Sequence, residues 1–171
     1  MKNEDVRCAK KKIMVVTDKE EKIKFKKELQ HHCISILEKR IAVAGEAMKQ
    51  AQESANSEEK SSAGDKYETS RAMGQLTRDM NAKQLEEAQR DLAFVSNLSP
   101  DKLFDSAQPG SVVVCDGVTF FISLGLGIIN IQNKKVVMLS PAAPIAMEMA
   151  EKKAGDSFVF RGNKTKILEV Y

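Results

Sequence analysis

Apolar residues in the first half of the chain recur at alternating intervals of three and four. Between residues 34 and 55 they are Ile34, Leu37, Ile41, Ala44, Met48, Ala51 and Ala55. This heptad pattern, here called the first seam, is typical of a helix that packs along one narrow face against another helix. We expect that helix to begin near residues 19–24.

A second apolar stripe follows and predicts a partner for the first seam. Its members are Met73, Leu76, Met80, Gln84, Ala88, Leu92 and Val95. Successive intervals of four depart from a strict heptad and predict a local relaxation of the supercoil. If the chain folds back, Ala55 meets Met73 and Ile34 meets Val95, with every pair centred near Gly64. Glycine readily adopts the dihedral angles of a reversal, so residues 21–98 predict an antiparallel helical hairpin with its tip near Gly64.

The predicted tip is small and acidic. The segment SEEKSSAGDKYE, residues 57–68, contains the carboxylates Glu58, Glu59, Asp65 and Glu68. Two interpretations follow from these residues alone. The acids either keep a turn soluble, with Asp65 as the N-cap of the second helix, or they form a charged end that acts on a partner.

The apolar pattern changes to short strands after residue 99. Residues 99–110, which include Pro100 and Pro109, predict a linker. Beyond it, β-rich runs flank an Asp116-Gly117 turn, a strong hairpin signal, and a second pair of strands flanks residues 132–134. A short helix is predicted from Ile145 to about Lys152, with Pro144 in its first turn. The fold class is therefore α+β, a helical hairpin followed by a small antiparallel sheet with one helix.

Composition and charge add a broad class. Of the 171 residues, 42% are hydrophobic and only 5% are aromatic, which predicts an aliphatic core. Residues 1–30 hold ten basic and six acidic side chains. Residues 1–20 are therefore interpreted as a basic tail, which is either a solvated terminal segment or one that contacts nucleic acid or an acidic protein face. Three widely spaced cysteines without a CxxC pair, and no apolar span of membrane length, lead us to expect a cytoplasmic protein with no membrane partner.

No residue cluster predicts an enzyme. His31, His32 and Cys33 are adjacent, and neighbouring residues on a helix point about 100° apart, so they do not converge on a metal or a substrate. We expect Cys33 to be a small buried apolar residue. The chain is therefore expected to have no cofactor of its own and no small-molecule substrate.

The C-terminal half resembles a known family. The segment SPAAPIAMEMAEKKAGDSFVF, residues 140–160, is similar to the C-terminal signature of the Gre family of bacterial transcript-cleavage factors. In that family a Ser-Pro-led helix is followed by a Gly-Lys-x-x-Gly-Asp turn and a Val-rich strand. The matching positions are Ser140, Pro141, Ile145, Lys152, Lys153, Gly155 and Asp156. The order of the parts is also similar, because Gre factors place a helical arm before an FKBP-like β domain, which here would be residues 111–171.

The resemblance implies an accessory factor of RNA polymerase. Such factors dock their β domain near the secondary channel of the polymerase. The candidate partner-binding residues are therefore Ser140, Pro141, Ile145, Lys153, Gly155, Asp156 and Tyr67. The arm enters the channel and its tip contacts nascent RNA indirectly. The candidate tip acids are Glu58, Glu59 and Asp65. Asp65 is also the candidate ligand for a Mg²⁺ ion shared with the polymerase, whose own active site would hydrolyse backtracked RNA.

The tip departs from the family pattern of Gly-Asp-x-x-Glu-Asn-x-Glu-Tyr. When Tyr67 is aligned with the family tyrosine, the two key acids fall on Lys60 and Ala63, which cannot bind a metal as carboxylates do. Glu59 or Asp65 could replace them only with a differently shaped loop. The sequence therefore leaves three functions open: a cleavage factor, a channel-binding regulator without cleavage activity, and a non-catalytic coiled-coil interaction protein.

Overall fold

Two long helices make up the first half of the computed structural model. The structure describes residues 3–58 and 64–171, with side chains described for residues 18–54, 69 and 72–171. Helix α1 spans Asn3–Glu58 and helix α2 spans Gly64–Ser96. The predicted start of the first helix near residues 19–24 is wrong, because α1 begins at Asn3. No Pro or Gly occurs before Gly45, so nothing in the sequence interrupts the helix earlier.

The chain divides into two compact units. Met1–Cys33 and Asn97–Tyr171 form one, here called the sheet unit, and Ile34–Ser96 form the other, here called the hairpin unit. The first part of α1 therefore belongs with the sheet. Residues 99–110, predicted as a linker, contribute to the sheet unit, where Ala107 is 1% exposed.

The first seam of the hairpin is the inward face of α1. Leu37 and Ala44 are buried, and the other members with described side chains are half-buried: Ile34, Ile41, Met48 and Ala51. Residues 36–44 of α1 lie beside residues 84–91 of α2. This confirms the predicted antiparallel arrangement of the two helices.

The second stripe is correct only near the base of the hairpin. Ala88 and Val95 are buried, but Met73, Leu76 and Met80 are more than half exposed. The half-buried positions of α2 that take their place are Gly74, Asn81 and Leu85. From Val95, the positions Leu92, Ala88, Leu85 and Asn81 follow at alternating intervals of three and four, so this part of α2 keeps a regular heptad where the stutter was predicted. The prediction chose Met73, Leu76 and Met80 because they are apolar, but these residues lie on an outer face of α2.

The second half of the chain forms a six-stranded sheet. The strands are β1 (Val112–Cys115), β2 (Val118–Ile122), β3 (Gly127–Ile131), β4 (Lys134–Leu139), β5 (Ser157–Phe160) and β6 (Asn163–Val170), and their spatial order is β3-β4-β2-β1-β6-β5. The predicted α+β class, a helix pair followed by a sheet and one short helix, is confirmed. The predicted antiparallel pairing is confirmed for four of the five strand pairs, whereas β2 and β4 pair in parallel. The crossover from β2 through β3 to β4 puts those two strands side by side.

Tight turns set the register of the antiparallel pairs. Cys115 pairs with Val118 across the predicted Asp116-Gly117 turn. Gln132 and Asn133 both have positive φ, at 50° and 60°, between β3 and β4. Two successive positive φ values are the backbone requirement of a type I′ hairpin turn, whose twist matches that of the strands.

Each face of the sheet is covered by a helix. On one side, helix α3 (Pro144–Met149) contributes Ala146 and Met149 to a core with Phe120, Phe158 and Ile167. On the other side, the first part of α1 presents a buried row of Phe25, Leu29 and Cys33 at intervals of four. Cys33 reaches Ser123 at the end of β2, with 3.8 Å between Sγ and Oγ. Both Phe120 and Phe121 are buried, at 6% and 1% exposure, because successive side chains of a strand point to opposite faces and both faces are covered.

Candidate functional site

The predicted acidic tip lies where the two hairpin helices end. Helix α1 ends at Glu58, one of the predicted tip acids, and α2 begins at Gly64, so Asp65 and Tyr67 occupy its first turn. Glu59 lies outside the described residues. The side chains of Glu58, Asp65 and Tyr67 also lie outside them, so their roles stay predictions.

A groove runs along one side of the hairpin unit. It encloses about 550 Å³. Its α1 wall comprises Ile36, Lys39, Arg40, Val43 and Ala44, and its α2 wall comprises Gln84, Glu87, Ala88 and Asp91. The α1 wall is thus basic and apolar, whereas the α2 wall is acidic. Gln84, which the second stripe placed between the two helices, is exposed on this groove, so the apolar pattern ran along this surface and was interpreted as buried.

The Ser140–Pro141 part of the family-like motif forms the entry to α3. The Ser140 carbonyl accepts a hydrogen bond from the Ala143 N–H at 2.9 Å, and its hydroxyl accepts one from the Ala142 N–H at 3.3 Å. Pro144 occupies the first turn of α3, as predicted. Ile145 is half-buried against the core beneath α3. These residues therefore shape the helix start, and Ser140 and Pro141 stay partly exposed.

The Lys153–Asp156 part of the motif is a turn held by its own hydrogen bonds and by backbone hydrogen bonds to Ile167 of β6. The Asp156 carboxylate accepts a hydrogen bond from the Lys153 N–H at 2.8 Å, and the Asp156 N–H donates to the Lys153 carbonyl at 3.1 Å. Gly155 has a φ of +96°, which side chains of L-residues rarely permit. The turn holds the start of β5, and the side chain of Lys153 is exposed.

Helix α3 ends before the predicted position near Lys152. Its last residue is Met149, because the backbone beyond it bonds to the segment before β1. The Ala107 N–H donates to the Lys152 carbonyl at 2.8 Å, and the Glu151 N–H donates to the Ala107 carbonyl at 2.9 Å. Two tertiary backbone hydrogen bonds therefore replace another helical turn.

Lys26 is a buried cation that the sequence analysis missed. It is 1% exposed, its ammonium donates to the Lys102 carbonyl, and it lies 4.4 Å from the centroid of the Phe104 ring. Burial lowers its pKa from the ordinary value of 10.5 to about 8, although Asp101 acts in the opposite direction. The sequence contained a signal for this burial, because Lys26 directly follows Phe25 and lies three residues before Leu29, and both belong to the buried row of α1.

The two cysteines whose side chains the structure describes, Cys33 and Cys115, are buried free thiols. Cys33 is fully buried, as predicted, and burial raises the pKa of its thiol. Cys115 is 3% exposed, and burial raises its pKa to about 11. Both thiols therefore stay protonated at neutral pH, whereas the reactive form is the thiolate. Of the neighbouring histidines, His31 is exposed and His32 half-buried.

Among the residues that the structure describes, no group of three or more His, Cys, Asp or Glu is placed to hold a metal ion. Within the same residues, no helix combines the length and the apolar character needed to cross a membrane. No protein-family model, curated protein or solved structure matches this chain.

Proposed function

We propose that this chain is a Gre-like transcription elongation factor that binds RNA polymerase and inserts the tip of its helical hairpin into the secondary channel. The observation that carries the proposal is the hairpin itself, two antiparallel helices whose ends meet at an acidic segment of the sequence. From Ile34 to Glu58, α1 rises about 36 Å at 1.5 Å per residue. A narrow two-helix arm of that length suits a channel too narrow for a globular domain.

The sheet unit would be the docking module in this proposal. An FKBP-like domain is the finer assignment that the resemblance implies, and a six-stranded sheet with one short helix is compatible with it. The partner-facing residues would be those exposed around α3, namely Ser140 and Pro141 before it and Lys153 after it. In contrast, Gly155 and Asp156 would act by holding the turn that presents Lys153.

The hairpin tip would act on the polymerase and perform no chemistry of its own. A second Mg²⁺ beside the polymerase metal can activate an attacking water and stabilise the leaving oxygen. Carboxylates are ligands that Mg²⁺ accepts, and Glu58, Glu59 and Asp65 are the candidates. The two key acids of the family pattern are replaced here by Lys60 and Ala63. This replacement favours a second form of the same function, in which the arm occupies the channel and modulates elongation without cleavage.

Backtracked elongation complexes separate the two forms. If the tip is catalytic, adding the chain releases short RNA from the 3′ end, and replacing Glu58, Glu59 and Asp65 together with Ala abolishes the release. The matched control replaces Glu38, Glu46 and Glu53 with Ala, which removes three exposed acids from the body of α1 and should leave the release unchanged. Altered pausing without released RNA would identify the non-cleaving form. A chain that causes neither RNA release nor altered pausing would contradict the proposed function.

An interaction protein unrelated to polymerase is the alternative, and one observation favours it. Met73, Leu76 and Met80 form an apolar row on α2 that is at least half exposed. Exposed apolar stripes of this kind often mark protein contacts.

A further inference from the structure

One face of the hairpin unit is apolar and unusually exposed. Four of its side chains have exposures between 54% and 70%: Val43, Met73, Leu76 and Met80. On α2, Met73, Leu76, Met80, Gln84 and Glu87 follow one another at intervals of three and four. Those intervals place them along one side of the helix, so the exposed row continues into the α2 wall of the groove. We call this row and the groove together the groove face.

The charges on the groove face are divided between its two walls. Lys39 and Arg40 stand on the α1 wall, and Glu87 and Asp91 stand on the α2 wall. None of these four residues takes part in an ion pair within the described part of the chain. By contrast, nearby Arg90 pairs with Glu86 at 3.1 Å. The groove face thus presents a positive edge and a negative edge at the same height along the hairpin, both unpaired.

We propose that the groove face is the contact surface of a homodimer. In this dimer the groove faces of two copies lie against each other, and the two-fold axis runs parallel to the helices. This axis places α1 of each copy opposite α2 of the other at the same height. Lys39 and Arg40 of one copy then face Glu87 and Asp91 of the second, and the same contacts occur twice. Such a surface is complementary to itself, as an isologous interface requires.

The sizes of the side chains agree with the same arrangement. The exposed Met73, Leu76 and Met80 of α2 would face the part of α1 that carries Ala47 and Ala51, both only half-buried. Bulky residues therefore oppose small ones across the interface. A two-fold axis perpendicular to the helices would instead place α1 against α1 and bring the basic walls together, which like-charge repulsion disfavours.

The extent of the groove face predicts a weak dimer. Residues 73–91 span about 27 Å of helix at 1.5 Å per residue, and two helices side by side are roughly 18 Å wide. Pairing two such faces buries on the order of 1,000 Å² in total, which is the low end for a specific interface. A dissociation constant in the micromolar range is therefore expected. The inference does not depend on the proposed function, and its test needs the full chain alone.

The test is sedimentation velocity from low micromolar to several hundred micromolar protein. The wild-type chain should pass from monomer to dimer over this range. An acidic variant, Lys39→Glu with Arg40→Glu, and a basic variant, Glu87→Lys with Asp91→Lys, should each weaken the dimer at least about tenfold through like-charge contacts. An equimolar mixture of the two variants should restore the dimer as a heterodimer, because opposite charges then meet on both sides.

Leu76→Glu provides a second, independent variant. It buries a charge in the apolar row and should keep the chain monomeric, and circular dichroism should show unchanged helix content because Leu76 is 57% exposed. A wild-type chain that stays monomeric throughout would overturn the inference. If the variants dimerise like the wild type, the dimer uses another interface and the inference is wrong. The inference is also wrong if the chain stays monomeric and its groove face binds an unrelated helix instead. A mixture that fails to dimerise would exclude the proposed axis.

Discussion

Lys26 makes a prediction about how stability depends on pH. Its ammonium is buried against Phe104 and the Lys102 carbonyl, and burial lowers its pKa from 10.5 to about 8. Below pH 8 the lysine is charged in both states, so the folded protein bears the full cost of burying the charge. Between pH 8 and 10.5 the unfolded chain binds the proton more strongly, so the free energy of unfolding rises with pH. Replacing Lys26 with Met removes the titrating group and keeps most of the side chain's length.

The size of this effect follows from the two pKa values. Linkage gives a contribution of about 1 kcal/mol between pH 7 and 9, using about 1.4 kcal/mol for each unit of pKa difference. Burial raises the pKa values of Cys33, Cys115 and Tyr171, the last to about 12. These groups lower the stability as pH rises, so the wild-type slope alone is a sum of opposing effects. The difference in slope between the wild type and Lys26→Met isolates the lysine.

The assay is urea denaturation at a series of pH values, followed by circular dichroism. The free energy of unfolding of the wild type, relative to Lys26→Met, should rise by about 1 kcal/mol from pH 7 to 9. Lys24→Met, which removes an exposed lysine of α1 with no ion pair in the described chain, should keep the wild-type slope. If the free energy of unfolding depends on pH in the same way for the wild type and Lys26→Met, the inference that burial lowers the pKa of Lys26 is refuted.

Four further substitutions test the packing and the turn. Leu29→Ala, at a fully buried position facing the sheet, should lower the free energy of unfolding by about 2–5 kcal/mol in urea titrations, whereas Val43→Ala, at a 70% exposed position, should change it little. A small loss at Leu29 would mean that α1 does not cover the sheet. Asp156→Ala should cost about 1 kcal/mol, measured the same way, because it removes the acceptor of the Lys153 N–H. Asp156→Asn keeps an acceptor oxygen and should lose less, and equal losses would exclude this hydrogen bond as the cause.

Local sequence signals predicted much of the fold because they depend on neighbouring residues. The heptad of α1 from Ile34 and the Asp116-Gly117 hairpin both follow from spacing and backbone preference, and both match the structure. The parallel pairing of β2 with β4 could not be predicted in this way. The local sequence does not show whether β2 pairs with the next strand along the chain or with the one after it. That choice depends on the packing of the whole sheet.

Two errors came from treating apolarity as burial. Met73, Leu76 and Met80 are apolar and yet exposed, while the half-buried α2 positions nearby include Asn81 and Gly74. Conversely, Lys26 is charged and buried because Phe104 and a backbone carbonyl accommodate its ammonium. The motif residues Gly155 and Asp156 illustrate a third limit. The sequence marked them as partner-binding candidates, and the structure gives them a local task in holding a turn.

Binding of the full chain to core RNA polymerase tests the proposed function most directly. Fluorescence anisotropy of the labelled chain, titrated with core polymerase at near-physiological salt, should show saturable binding. Lys153→Glu should weaken it, whereas Lys164→Glu, an exposed lysine outside the motif, should not. Anisotropy that stays flat up to the highest polymerase concentration would contradict the assignment to transcription and leave the hairpin as a contact surface for other proteins.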